Sequence, residues 1–285
     1  MKAPPFDYLQ AESVEAALEA LAEHGDEAKI LAGGQSLVPM LNLRLASPGV
    51  LVDITGIGSL RAAKGGGGVR FGATVTHAKV EDLLVPDPSG GLLPAVAEGI
   101  GYRAVRNRGT VAGSLIHADP SAEWPVVMSA LDASVQVRSV RGERFLPVRE
   151  LYLGHFVSVL EPDELVVAVD IPAQPVDTRW GFDKRARKVG EFADSLAVAL
   201  VHDADSASPT AEIWLGAASD VPLRLSGVGE VLAAEPPGPR REGAIRALVA
   251  DALPEPVNDE ARYHRHLHAV ATCRALDRAL SEEPK

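Results

Sequence analysis

The apolar positions of this chain change their period along its length, and each change marks an element. Val14, Ala17, Leu18 and Leu21 recur at helical spacing, with Ser13 placed to cap and Gly25 to stop, which predicts a helix from 13 to about 24. Residues 29–32 read as a short buried strand running into Gly33 and Gly34, residues 39–45 as a short helix, and residues 50–54 as another strand. A second unit begins after 56–60. Glycines 65–68 suit a hairpin tip, because residues 69–75 resume strand-like alternation. Residues 92–99 suit a helix. Residues 134–140 alternate cleanly and turn at Gly142 into Phe145, and residues 165–172 form a strand closed by Pro172.

After a linker at 173–178 come strands at 196–202 and 211–217, then helices at 241–253 and 259–280. Strands followed by helices make this last part an α+β unit. The expected organisation is therefore three units, 1–55, 56–175 and 176–285, without internal repeats.

Composition narrows the function. Of the 285 residues 46% are hydrophobic and 24% charged, a globular balance rather than a disordered one. The net charge of −11 leaves no electrostatic footprint for nucleic acid or an anionic membrane. One cysteine, Cys273, cannot form a disulfide framework, a cysteine zinc site or an iron–sulfur cluster. A redox centre in this chain would have to be organic or supplied by a partner. The N-terminus lacks the basic-then-apolar pattern of a signal peptide, and aliphatic runs such as 196–201 fall far short of the ~20 residues of a membrane span. A cytoplasmic setting is expected.

Two stretches carry candidate chemistry. The first, AGGQSL at 32–37, joins a strand to a short helix, where backbone amides can converge on an anion. It reads equally as a tight turn. The second, RNRGTVAGSLIHADPSAE at 106–123, mixes hydroxyls, small residues and charges with no period of 2 or 3.6, as a site or a long polar loop would. Neither is a dinucleotide fingerprint, and no Walker loop, nucleophile elbow or zincin helix is present. Asp119 and Glu123 read as a polar turn beside Pro120 rather than an acid/base pair. His264 and His268, with Arg262 and Arg265 interleaved, read as a solvated helix face rather than metal ligands. His117, alone, is weak evidence for a covalent flavin anchor.

Together the two stretches closely resemble the flavoprotein subunits of the xanthine dehydrogenase and carbon monoxide dehydrogenase family of molybdenum hydroxylases. Further segments agree: Asn42-Leu-Arg-Leu with Pro48, Leu51-Val-Asp-Ile, Phe71-Gly-Ala-Thr-Val-Thr-His, Asp163-Glu-Leu-Val, Phe182-Asp-Lys and Tyr263-His-Arg-His-Leu. The resemblance spans nearly the whole chain. It implies an α+β protein: a two-subdomain FAD-binding fold of the vanillyl-alcohol oxidase/PCMH type, followed by a smaller α+β domain of the carbon monoxide dehydrogenase flavoprotein type. By the same resemblance Ala32, Gly33, Gly34, Gln35, Ser36 and Leu37, with Thr110, Val111, Ala112, Gly113 and Ser114, grip the FAD pyrophosphate. Glu123 is implied as an acidic contact to FAD, and Ile100, Leu165, Val166 and Lys184 as flavin-ring contacts. The chain departs from the family at Ala112, where a glycine is usual, and at Lys188 and Glu191, where arginine and aspartate are common.

The resemblance implies an electron-transfer subunit with non-covalent FAD and no catalytic acid or base of its own. Electrons would come from two [2Fe–2S] clusters on a small subunit, fed by a large molybdenum-cofactor subunit, and leave to NAD, a quinone or O2. The assembly would be a dimer of heterotrimers. The alternatives are a self-sufficient oxidase of the vanillyl-alcohol oxidase type, for which the C-terminal unit is short, and a non-catalytic assembly subunit.

Overall fold

The computed structural model describes residues 2–204, 206 and 209–281. The first sheet is parallel, in the order β1-β3-β2, with β1 at Asp7–Gln10, α1 at Val14–His24, β2 at Ala28–Leu31, α2 at Leu37–Leu43 and β3 at Val50–Asp53. The Ser13 hydroxyl opens α1 by accepting the Ala16 amide at 3.1 Å, and Gly25 ends the helix with φ 49°. The buried stripe of α1 is Val14, Ala17, Leu18, Ala20 and Leu21, the predicted apolar face with one more alanine.

The second sheet is antiparallel and interrupted. Its strands β4 (Ala63–Gly65) and β5 (Gly68–Gly72) precede five short helices. These are α3 (His77–Glu81), α4 (Leu92–Glu98), α5 (Arg103–Arg106), α6 (Val111–His117) and α7 (Glu123–Ala130). The chain then returns through β6 (Ser134–Ser139) and β7 (Gly142–Pro147), a small hairpin β8 (Tyr152–Gly154) and β9 (Val157–Ser158), and β10 (Leu165–Pro172). Strand order is β4-β5-β10-β6-β7, with β10 central and buried along most of its length. The stretch at 106–123, patternless in sequence, is not a long loop. It folds into the end of α5, all of α6 and the start of α7.

The third sheet is an antiparallel meander: β11 (Arg179–Arg185), β12 (Ser195–His202), β13 (Thr210–Gly216) and β14 (Leu223–Leu225). Strand β11 was not expected; its apolar residues are too few to alternate visibly. Helices α8 (Val228–Ala234), α9 (Pro239–Ala252) and α10 (Asp259–Leu280) follow. Side chains alternate across the sheet. Ala197, Ala199, Val201, Ile213 and Leu215 form a core with α9 and α10, while Leu196, Val198, Leu200 and Trp214 join the larger core that holds α7. No helix among the described residues is long and apolar enough to cross a membrane.

Helix α10 corrects the expectation for its histidines. His268 is not solvated but 3% exposed, its Nδ1 2.8 Å from the buried Ser195 hydroxyl. The four-residue spacing from His264 spans two environments, because α10 lies flat on the sheet. Burial, together with the neighbouring His264, pushes the His268 imidazole down to about 4, while the Ala217 backbone works in the other direction. A folded-state value below the ordinary 6.5 favours the neutral ring, so this contribution is full above about 6.5 and is lost as pH falls toward 4. We expect urea unfolding to show a stability loss of order 1–2 kcal/mol from this ring between pH 7 and pH 5. The His268→Gln variant should lose correspondingly less over the same interval. Equal losses in both chains would rule this out.

Candidate functional site

The two stretches singled out in the sequence meet in space. Gly33 lies directly on the second one: a Cβ added there would stand 2.3 Å from the Arg108 carbonyl oxygen and 2.7 Å from Gly109 Cα. Only glycine permits this backbone-on-backbone approach. Gly34 takes φ +72°, turning the chain into α2. The Gln35 side-chain amide donates to the Gly33 carbonyl at 3.1 Å and braces the turn, with Ala32 half-buried beneath it. Ser36 stands at the cap position of α2 but makes no side-chain cap bond.

The backbone N–H groups of Gly33, Gly34, Gln35, Ser36 and Leu37 donate to no described residue. Helix starts leave such donors unsatisfied, and a run of them favours an anion.

The second stretch is wired differently. The Val111 amide donates to Val75 at 3.1 Å, Ser114 to the Thr110 carbonyl at 3.0 Å, and Gly113 to the Thr110 hydroxyl at 3.0 Å. Thr110 therefore caps α6, and its hydroxyl keeps its proton and one lone pair to offer a ligand. Ala112 is 4% exposed with ordinary φ, and its methyl belongs to the core. That explains how a methyl is tolerated where relatives of the motif carry glycine. Next to this seam the exposed Arg108 faces Asp53. Burial raises the Asp53 carboxyl, but hydrogen bonds from the Tyr8 hydroxyl (2.5 Å) and the Thr55 amide (2.7 Å), with the Arg108 charge, hold it below its ordinary value. Sequence reasoning missed Arg108; only its place between two notable residues marked it.

A second group gathers at the start of α7. Glu123 is 4% exposed, and its Oε1 lies 2.5 Å from Lys184 Nζ of β11, which also donates to the Gly99 carbonyl at 3.2 Å. Ile100 follows directly; its carbonyl, with that of Gly101, accepts from Arg106 at 3.2 and 3.0 Å. Thus Ile100, Glu123 and Lys184 come together. Burial raises the Glu123 carboxyl and Lys184 pulls it back down, with the rise prevailing. Asp119, 8% exposed, accepts the Ser121 amide at 2.9 Å in the turn that precedes α7, as a polar turn should.

Leu165 and Val166 are buried at the start of β10. Val166 pairs with Val137 and Leu165 with Arg138, so their side chains take opposite faces of the second sheet. At most one of them can turn toward a common ligand. Beyond Lys184, Gly190 (φ 85°) rests on Gly101, where a Cβ would stand 2.8 Å from the Gly101 carbonyl. The turn that contains Lys188 and Glu191 is thereby pinned beside Ile100.

A parallel unit is clamped by a glycine turn onto an antiparallel one, with unpartnered amides at the seam, an arrangement chemically able to take a phosphate-bearing ligand. Residues 4–174 match the model for the FAD binding domain in molybdopterin dehydrogenase. This chain belongs to that family, the FAD-binding medium subunits of molybdenum hydroxylases, which are oxidoreductases. It is 45% identical over 202 residues to subunit alpha of the 6-hydroxypseudooxynicotine dehydrogenase complex of Paenarthrobacter nicotinovorans, covering 70% of this chain and 68% of that one. It is 32% identical over 283 residues to caffeine dehydrogenase subunit beta of Pseudomonas sp. (strain CBB1), covering 98% and 96%. Among solved structures it is similar to the carbon monoxide dehydrogenase of Hydrogenophaga pseudoflava that lacks the Mo-pyranopterin moiety. There the TM-score is 0.88 and the identity 30%, over 98% of both chains.

The Glu123–Lys184 pair yields a stability prediction. Removing one partner of a buried pair leaves an uncompensated charge, at a cost of about 3–5 kcal/mol. Lys184→Met should lower the thermal midpoint steeply, and Glu123→Gln added to it should restore most of the loss. If the double variant is no more stable than Lys184→Met, the pair is not what joins α7 to β11.

Proposed function

We propose that this chain holds one FAD non-covalently and serves as the electron-transfer subunit of a molybdenum hydroxylase. The reading places the pyrophosphate between units 1–55 and 56–175, in the PCMH-type arrangement, and the flavin ring toward unit 176–285. The observation that carries it is the run of unpartnered amides from Gly33 to Leu37, held against Arg108 and Gly109. A diphosphate fits such donors, and the positive Arg108 beside them suits its charge.

In this reading Ala32, Gly33, Gly34, Gln35, Ser36 and Leu37 supply the main phosphate grip. Thr110 adds its hydroxyl proton, and Val111 to Ser114 act chiefly as framework. Ile100 and one of Leu165 and Val166 line the ring. The Lys184–Glu123 pair sets a polar, water-poor edge there.

FAD supplies the redox chemistry when bound; the protein binds, orients and shields it. With Cys273 as its only cysteine, 8% exposed, the chain has no cluster ligands of its own. Electrons would thus arrive from [2Fe–2S] clusters of a small subunit, supplied by a large molybdenum subunit. The relatives named above, a complex subunit alpha and a subunit beta, support such partners. The acceptor would be NAD, a quinone or O2, and the assembly a dimer of heterotrimers.

Acid precipitation of the flavin-loaded chain should release FAD to the supernatant; colour retained in the pellet would contradict non-covalent binding. Gly33→Ala drives a methyl into the Arg108 carbonyl and should cut FAD affinity by about tenfold or more, equivalent to ~1.4 kcal/mol. The exposed Lys64→Ala should bind as the unsubstituted chain does. Equal affinity in Gly33→Ala would remove the loop from the site.

Purified alone with FAD, the chain should hydroxylate no substrate, whatever the acceptor. From its native host it should co-purify with an iron–sulfur protein and a molybdenum protein. A native complex lacking both would sink the subunit reading.

A further inference from the structure

His77 and Trp124 form a buried pair that the contacts assigned above leave unused. His77 is 5% exposed and Trp124 fully buried, and the indole N–H donates to His77 Nδ1 at 2.9 Å. An indole nitrogen only donates, so Nδ1 carries no proton and the ring is the Nε2–H tautomer. Burial, with the Arg106 charge, pushes the imidazole down to about 3, which keeps that neutral form at any working pH.

The ring touches the site from below. The His77 main-chain amide donates to the Gly109 carbonyl at 3.0 Å, and Thr76 and Thr110 form an antiparallel bridge alongside. A Cβ on Gly109 would stand 2.7 Å from His77 Nε2 and 2.8 Å from Cδ2, so the imidazole edge lies immediately beneath that glycine. Gly109 Cα in turn stands 2.7 Å from where a Gly33 Cβ would be. The order is His77, Gly109, Gly33, with nothing compressible between them.

We propose that His77 is a positioning residue of the FAD site, acting through Gly109 to seat the second loop against Gly33. The proposal rests on the reading of these loops as the pyrophosphate grip. The imidazole is the floor on which Gly109 rests, and Trp124 fixes the rotation of that floor. If the ring swings, Gly109 drops, and the seam that aligns the Gly33 to Leu37 amides loosens. Trp124 also follows Glu123 on α7, so one helix fixes both the imidazole and the partner of Lys184. The phosphate end and the third sheet therefore share a foundation.

The test is FAD titration of the full-length chain, followed by flavin fluorescence, with thermal midpoints measured in parallel. His77→Phe keeps an aromatic ring but loses the acceptor; Trp124→Phe loses the donor. Each should weaken FAD binding about tenfold or more. His77→Asn places an acceptor where Nδ1 stands and should recover most of the affinity. Because both changes break one link, the double variant His77→Phe/Trp124→Phe should bind no worse than the weaker single variant.

A purely structural role predicts something else: affinity tracking the thermal midpoint, no recovery in His77→Asn, and additive losses. Any of these overturns the proposal. If His77→Phe fails to fold, Trp124→Phe and His77→Asn decide the matter on the same criteria. Unaltered affinity in folded variants also overturns it while leaving the FAD reading intact. Failure of the unsubstituted chain to bind FAD overturns both.

Discussion

Everything at this site depends on one contact of main chain on main chain, Gly33 against Arg108 and Gly109. No side chain fits between them, so at this point the first two units meet backbone to backbone. Backbone amides that cannot pair across such an approach must look elsewhere, and those of Gly33 to Leu37 donate to no described residue. The surrounding features serve that approach. Gly34 turns the chain, Gln35 braces it, Thr110 caps the helix that follows, and His77 supports Gly109. In the proposed reading the phosphate grip is thus a product of close packing, and it resists substitution for steric reasons before chemical ones.

Helix α7 extends the same logic to the third unit. All eight of its residues are buried, and a helix without a polar face must be covered on every side. Strands β12 and β13 supply part of that cover, with Leu196, Val198 and Trp214 in the shared core. Glu123 opens the helix, where a carboxylate suits the dipole, and Lys184 neutralises it from β11. In the proposed reading this makes the C-terminal unit a structural wall of the flavin site.

The sequence misled where helical periodicity was too short to see. The stretch at 106–123 showed no helical period, leaving a long polar loop open beside a site, because its helices run four, seven and eight residues, about one or two turns each. Pro125 lies in the first turn of α7, where proline is tolerated. His268 looked solvated because Arg262 and Arg265 are interleaved with the histidines on that helix, although α10 turns His268 inward.

What the sequence determined by itself were the elements with long, clean periods, such as α1, α10, β6 and β10, and the two small-residue stretches as candidates for a site. Those signals are local, since apolar spacing and turn residues act within a few positions. Single-cysteine composition likewise placed any cluster outside the chain without reference to structure. Which atoms face which was decided only by tertiary structure. That Gly33 meets Arg108, that Glu123 and Lys184 bond to each other, and that Leu165 and Val166 look opposite ways all depend on how distant segments dock. Docking is set by the summed fit of surfaces, and no single residue type or spacing encodes it.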